Sequence, residues 1–185
     1  MLKTLLLTGA LLALGRPAFA QDAFSAVRCG ADIPSALKGK AMPGGRVVRI
    51  EARHRDIGLK DEGAEEVSET LIYQAWSMCG NEFAMLEDRR GIIRDATLFP
   101  AHSRRHPAFL GPCQLGGQQT PGMILGILDN TASNGDPQHY APQDSTMLRA
   151  IRAWGIDQHL SRFVAVPAKD LRCPRGNIFT VDGGP

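Results

Sequence analysis

The groups in this chain that could carry chemistry are five histidines, four cysteines and a few turns dense in oxygen-bearing side chains. His102-Ser103-Arg104-Arg105-His106 sets two imidazoles four residues apart. On a helix both would share one face and offer two nitrogen ligands to a metal. Pro100 and Pro107 bracket the segment and oppose a regular helix, and no carboxylate nearby in sequence completes a zinc set. The expectation is a solvated basic loop, with contact of His102, Arg104, Arg105 and His106 to an anionic partner as the alternative and no metal bound.

Four further candidates are set against ordinary structure. His54-Arg55-Asp56 spells the opening of a kinase catalytic loop, but that loop needs an asparagine where this chain has Asp61, and it needs a glycine-rich phosphate loop. Phosphoryl transfer is set aside. The run from Asp129 to Asp136 follows an apolar segment and is rich in oxygen ligands. An EF-hand counted from Asp129 would want glycine at Asn134 and glutamate at Tyr140, so that motif fails. A solvated turn is expected, with a non-standard calcium set of Asp129, Asn130, Ser133 and Asp136 as the alternative. Nucleophilic catalysis has no G-x-S-x-G or H-E-x-x-H signature. A serine–histidine–aspartate set assembled from distant positions stays open, because such sets are defined by geometry and not by order. Trp76 and Trp154 are expected in the core and not as a ligand-stacking platform.

Cys29, Cys79, Cys113 and Cys173 are too widely spaced for C-x-x-C redox chemistry or for paired zinc knuckles. In an exported chain an even number of cysteines implies two disulfides, with three connectivities open. A nested pattern is expected: Cys29–Cys173 joining the ends and Cys79–Cys113 closing a predicted hairpin.

The elements that would position these groups are mostly strands. Asp32 to Gly39 suits a short helix, with Asp32 as N-cap, Pro34 in the first turn and Gly39 as the stop. After a turn at Pro43-Gly44-Gly45, Arg46 to His54 alternates Val48, Ile50 and Ala52 against Arg49, Glu51 and Arg53, the pattern of a half-buried strand. Lys60 to Glu69 is acidic and reads as an exposed connection. Thr70 to Met78 carries both a helical stripe and β-forming residues; the hairpin that follows favours a strand. In that hairpin Glu82 to Glu87 and Ile92 to Leu98 flank Asp88-Arg89-Arg90-Gly91. Pro100 to Gly122 reads as loop, Met123 to Leu128 as a central strand buried on both faces, and Asp129 to Pro142 as a second long loop. Ser145 to Trp154 is the best helix, capped by Asp144 or Ser145, with a stripe of Met147, Leu148, Ile151 and Trp154. Arg162 to Val166 is the last clear strand, and Phe179 to Val181 offers a final edge. The fold class expected is β-rich, all-β or α+β: a single antiparallel-sheet domain over residues 21–185, sandwich- or barrel-like, with one or two short helices and two disulfides.

The first twenty residues read as a cleavable export signal. Lys3 precedes the apolar run Thr4 to Gly15, and Ala18-Phe19-Ala20 supplies the small residues a signal peptidase needs, so the mature chain is expected to begin at Gln21. An apolar helix of that length covers roughly 18 Å, short of the ~30 Å hydrocarbon core, so no membrane span is expected. Lys3 and Arg16 are the only charges in this segment, and the remainder holds nineteen basic and nineteen acidic residues. That balance gives no global electrostatic case for nucleic acid or an anionic membrane. The expected protein is a periplasmic or secreted binding or interaction module without cofactor, directed at a protein or envelope partner. An exported hydrolase built from separated residues is the alternative class.

Overall fold

Asp32 begins a helix as its sequence implies. In the computed structural model, which describes residues 22–133 and 146–179, its carboxylate accepts the Ser35 amide at 3.2 Å and the Ser35 hydroxyl at 2.6 Å. Helix α1 spans Ile33–Leu37 with Pro34 in its first turn, and Gly39 turns the chain away at a φ of +74°. The expected export signal, residues 1–20, lies outside the described residues, as do Asp144 and Ser145.

Arg46 to His54 departs from the strand expectation: it forms helix α2 (Val47–Arg53). A strand needs a neighbour for its backbone, whereas a helix satisfies most of its own and can lie on a sheet already complete. Of the three residues expected inward only Ile50 is buried, while Val48 is 74% exposed.

Four antiparallel strands follow in the order β1 (Lys60–Ser68), β2 (Leu71–Met78), β3 (Asn81–Asp88) and β4 (Ile93–Phe99). The strand expected at Thr70 to Met78 and the hairpin after it are present. In the hairpin turn one Asp88 oxygen accepts the Arg90 and Ile92 amides. The β2–β3 turn places Cys79 and Gly80 at φ +52° and +75°, the left-handed pair whose twist matches that of the strands it joins. Lys60 to Glu69, expected as a connection, is instead edge strand β1. Its charged residues suit an edge that must not pair with another chain. The Asp61 and Gly63 amides are taken by the Glu51 and Asp61 carboxylates at 2.9 and 3.1 Å.

The second sheet runs β10 (Ile178–Phe179), β5 (Ala108–Leu115), β6 (Gln118–Asp129), β7 (Met147–Asp157) and β8 (Arg162–Ala165). Two expectations are corrected here. Of the Pro100 to Gly122 loop, only residues 100–107 lie outside strands as a long connection. Gly116-Gly117, at φ +59° and +85°, is a hairpin turn, and Pro112 sits where the β5–β6 register shifts. Ser145 to Trp154 is no helix: Met147 onward is β7. Ile151 of the supposed stripe is 42% exposed, whereas Ala150 and Ala153 are buried. The long apolar strand β6 needs partners on both edges, and pairing with it overrides the helical spacing. The central position of β6, flanked by β5 and β7, fits the expectation for Met123 to Leu128, and Ile124 to Leu128 are buried throughout.

Strand β9 (Leu171–Pro174) pairs with Gln114 and Leu115 of β5 and also with Met147 to Arg149 of β7. Strands β5, β6, β7 and β9 therefore close a ring, around Phe109, Ile124, Leu128, Leu171 and the Cys113–Cys173 bridge. The architecture is both sandwich and small barrel. Its other outer face packs Leu110, Leu125 and Ile127 against Leu71, Tyr73 and Leu86 of the first sheet. The far face of that first sheet is covered by the N-terminal segment, with Phe24, Leu37 and Ile50 against Trp76, Phe83 and Met85.

The disulfides are Cys29–Cys79 and Cys113–Cys173, sequential and not nested. Cys79 ends β2 beneath the N-terminal cover, which brings Cys29 to it. Cys113 and Cys173 lie on β5 and β9, neighbours in the ring. The first bridge thus ties the N-terminal cover to the first sheet, and the second ties β9 to β5. Asp95 on β4 joins all three layers: it meets Lys38 at 2.7 Å and accepts the Phe163 amide of β8 at 2.8 Å.

Candidate functional site

Strand alternation puts Glu82 on the same face of β3 as the buried Ala84 and Leu86, that is, between the sheets. A carboxylate there must be partnered. His102, just beyond the end of β4, places Nε2 at 2.8 Å from Glu82 Oε2, and the two side chains are 6% and 13% exposed. A carboxylate only accepts, so Nε2 is the donor and the ring orientation is fixed. The ring lies 5.6 Å from that of Phe99, which in turn lies 6.1 Å from that of Trp154.

Two neighbours extend the cluster. Ser77, opposite Glu82 across β2 and β3, donates its hydroxyl to Glu62 Oε1 at 2.7 Å, and Lys60 reaches the other Glu62 oxygen at 3.1 Å. Tyr73 is buried at 3% exposure, and its hydroxyl, like Glu82 Oε1, makes no hydrogen bond among the described residues. Burial first, and the Glu82 charge second, push the Tyr73 phenol far above its usual 10.0. It stays protonated at any physiological pH. A serine, a histidine and two carboxylates are the parts of acyl-transfer chemistry, but they are not connected in that order. The Ser77 proton goes to Glu62 and not to His102, so the imidazole does not activate it.

What the Glu82–His102 pair does is hold a loop. Residues 100–107 are fixed at one end by His102 and at the other by β6. Asn130, 0% exposed, binds the Arg105 carbonyl through its amide at 2.9 Å and the Arg104 carbonyl through Nδ2 at 3.2 Å. Leu128 N–H reaches Pro107 O at 3.0 Å, and Ser103 and His106 exchange backbone hydrogen bonds in both directions at 3.0 Å. Between these clamps Arg104, Arg105 and His106 are exposed. Of the four expected loop residues, His102 therefore turns inward as the anchor, and the two imidazoles do not share a face.

The remaining sequence candidates resolve into structure. Asp129 accepts the Thr131 hydroxyl at 2.7 Å and meets Arg149 at 3.2 Å. The Thr131 hydroxyl and amide, more than Arg149, hold its carboxyl below the usual range. Asn130 faces the loop backbone, while the side chain of Ser133 and all of Asp136 lie outside the described residues. Among the described residues no three histidine, cysteine or acidic side chains gather as a metal site. His54 of the kinase-like tripeptide is 8% exposed and sits 3.2 Å from Asp22, against the Phe24 ring. Trp76 is core, 3% exposed and stacked near Phe24; Trp154 is half-buried between the sheets. Ser35-Ala36-Leu37-Lys38 spells the serine–lysine spacing S-x-x-K. Ser35 donates to Asp32 and Lys38 pairs with Asp95, so the two form no dyad. Glu82, Glu62, Ser77 and Tyr73 went unnoticed from sequence. For Glu82 a signal existed: a charge in phase with Ala84 and Leu86 on a buried strand face.

Comparison with protein-family models, with curated proteins and with solved structures gives no match.

Proposed function

We propose that this chain is an exported, non-catalytic binding module that engages an anionic group of a protein or envelope partner through the 100–107 loop. The observation that carries the reading is the double clamp on that loop, His102 on Glu82 at one end and Asn130 on the Arg104 and Arg105 carbonyls at the other. A loop whose backbone is already ordered loses little entropy on binding. Its exposed arginines offer the fork geometry that carboxylates and phosphates accept. Two disulfides with no free cysteine suit an oxidising compartment. The hydrolase reading draws on the Glu82–His102 pair, and the commitment of Ser77 to Glu62 counts against it.

The test is capture from an envelope extract under oxidising conditions, with Arg104→Glu/Arg105→Glu alongside the wild type. The expected result is a partner recovered by the wild type and lost by the variant, with near-ultraviolet circular dichroism unchanged. Equal recovery by both proteins would remove the loop from the account. Ester hydrolysis by the wild type that disappears in His102→Ala would favour the alternative.

A further inference from the structure

Charge that balances over residues 21–185 is unevenly placed in the fold. The N-terminal cover, residues 22–59, holds seven basic and four acidic residues. Three of those acids are turned to local bonds: Asp22 to Ser25 and His54, Asp32 to Ser35, and Glu51 to the Asp61 amide. The bases are left facing outward, most densely around α2. Among the described residues no ion pair or side-chain hydrogen bond involves Arg46, Arg49 or Arg55, and Arg53 approaches Asp22 only to 3.7 Å.

The same helix exposes apolar surface. Ile50 is its one buried residue. Val48 and Ala52, four residues apart, share the opposite face, and Val48 at 74% is the most exposed large hydrophobic among the described residues, with Val47 at 38%. Arg46 and Arg49 flank these valines in sequence. A soluble anionic partner would use the arginines and leave Val48 in water. An apolar protein groove would bury the valines and strand the unpaired guanidinium groups. An anionic bilayer surface satisfies both, with the guanidinium groups among the phosphates and the valines at the acyl boundary.

We propose that the exposed face of α2 is a peripheral docking surface for an anionic phospholipid bilayer. It is a different surface from the 100–107 loop and does not depend on that loop's role. With two valines and three unpaired arginines the attachment is weak and reversible.

The test is co-sedimentation of the full disulfide-bonded protein with vesicles of phosphatidylglycerol and phosphatidylethanolamine, or of phosphatidylcholine alone. The expected result is partitioning onto the phosphatidylglycerol vesicles at about 0.05 M NaCl, falling steeply by about 0.5 M as screening shortens. Arg46→Gln/Arg49→Gln should lower the partition coefficient roughly 25-fold, about fivefold for each cation near the surface. Arg46 makes no side-chain cap bond, so its loss removes no helix cap. Val48→Gln, neutral and at a solvent-facing position, should lower partitioning several-fold without altering the unfolding midpoint. No sedimentation with phosphatidylglycerol at low salt overturns the proposal. So does a loss caused by the arginine substitutions that Val48→Gln does not reproduce, which would mark a general polyanion site.

Discussion

Removing the Asp95 side chain should cost far more than removing the lysine it pairs with. Asp95 is 8% exposed and accepts three donors: the Phe163 amide at 2.8 Å, its neighbour's amide at Ala96 at 3.0 Å, and Lys38 Nζ at 2.7 Å. A hydrogen bond from a buried amide to a charged acceptor contributes about 1.5–3 kcal/mol, and an amide left unpaired keeps its desolvation cost. The Lys38 side chain is 50% exposed, so solvent screening leaves its pairing worth about 0.5 kcal/mol. Asp95→Ala is therefore expected to lower stability by about 3 kcal/mol, and Lys38→Ala by about 0.5 kcal/mol. Asp95→Asn, whose amide oxygen can still accept from Phe163, should fall between them. Equilibrium urea unfolding of the oxidised protein measures this, provided the m-value is constant across the variants. For a chain of this size the alanine variant should melt roughly 6–12 °C lower. Asp95 is not the joint between the layers if Lys38→Ala costs as much as Asp95→Ala, or if Asp95→Ala stays within about 0.5 kcal/mol of wild type.

Four other outcomes are expected. Peptide mapping without reductant should recover Cys29 linked to Cys79 and Cys113 linked to Cys173, and a Cys29–Cys173 peptide would contradict the topology. With sequence separations of 50 and 60, replacing either pair should cost about 4 kcal/mol in the chain-entropy model, read from the same urea curves. Gly126→Ala should destabilise by about 1–3 kcal/mol, because a Cβ there would meet the Arg152 carbonyl at 2.9 Å. Gly122→Ala, with its nearest contact at 3.8 Å, is the control, and equal effects would deny the tight β6–β7 approach. Acid behaviour should depend on Asp22. Burial alone would raise its carboxyl, but the Ser25 amide and hydroxyl and the His54 ring outweigh that and hold it below 3.8. A depressed folded value contributes stability that is present above the unfolded value and lost as pH falls through the folded one. Asp22→Asn should therefore lose stability less steeply than wild type below about pH 4, followed by circular dichroism; identical slopes would remove Asp22 as a contributor.

The parts of the fold legible in the sequence are those governed by local rules. Asp32 and Pro34 start a helix, Asp88 and Gly91 make a hairpin, and the unbroken run Met123 to Leu128 is a strand buried on both faces. The misread segments are those where neighbours decide. Arg46 to His54 alternates well enough for a strand, yet among the described residues no strand lies beside it, so it coils and turns Val48 outward. Met147 to Trp154 has helical spacing, yet β6 needs an edge partner and β9 completes a ring on the other side. Disulfide pairing depends on that ring and could not be read from spacing. The same misreading hid the α2 surface: taken as a strand, Val48 faces the core, and in the balanced total over residues 21–185 the arginines are offset by acids such as those of β1. At the loop, Arg104 and Arg105 were visible as a basic pair between prolines. Their anchors were not, because Glu82 lies 20 residues from His102 and Asn130 lies 26 from Arg104.

Amide hydrogen exchange across residues 100–107 in the oxidised wild-type protein tests whether this loop is a pre-ordered part of the scaffold. The Ser103 and His106 amides, bonded to each other's carbonyls at 3.0 Å, should exchange roughly a hundredfold or more slower than in an unstructured peptide. Asn130→Ala should accelerate them while β2 and β3 keep their protection. Exchange of those two amides at the unstructured rate in the wild type would contradict the account.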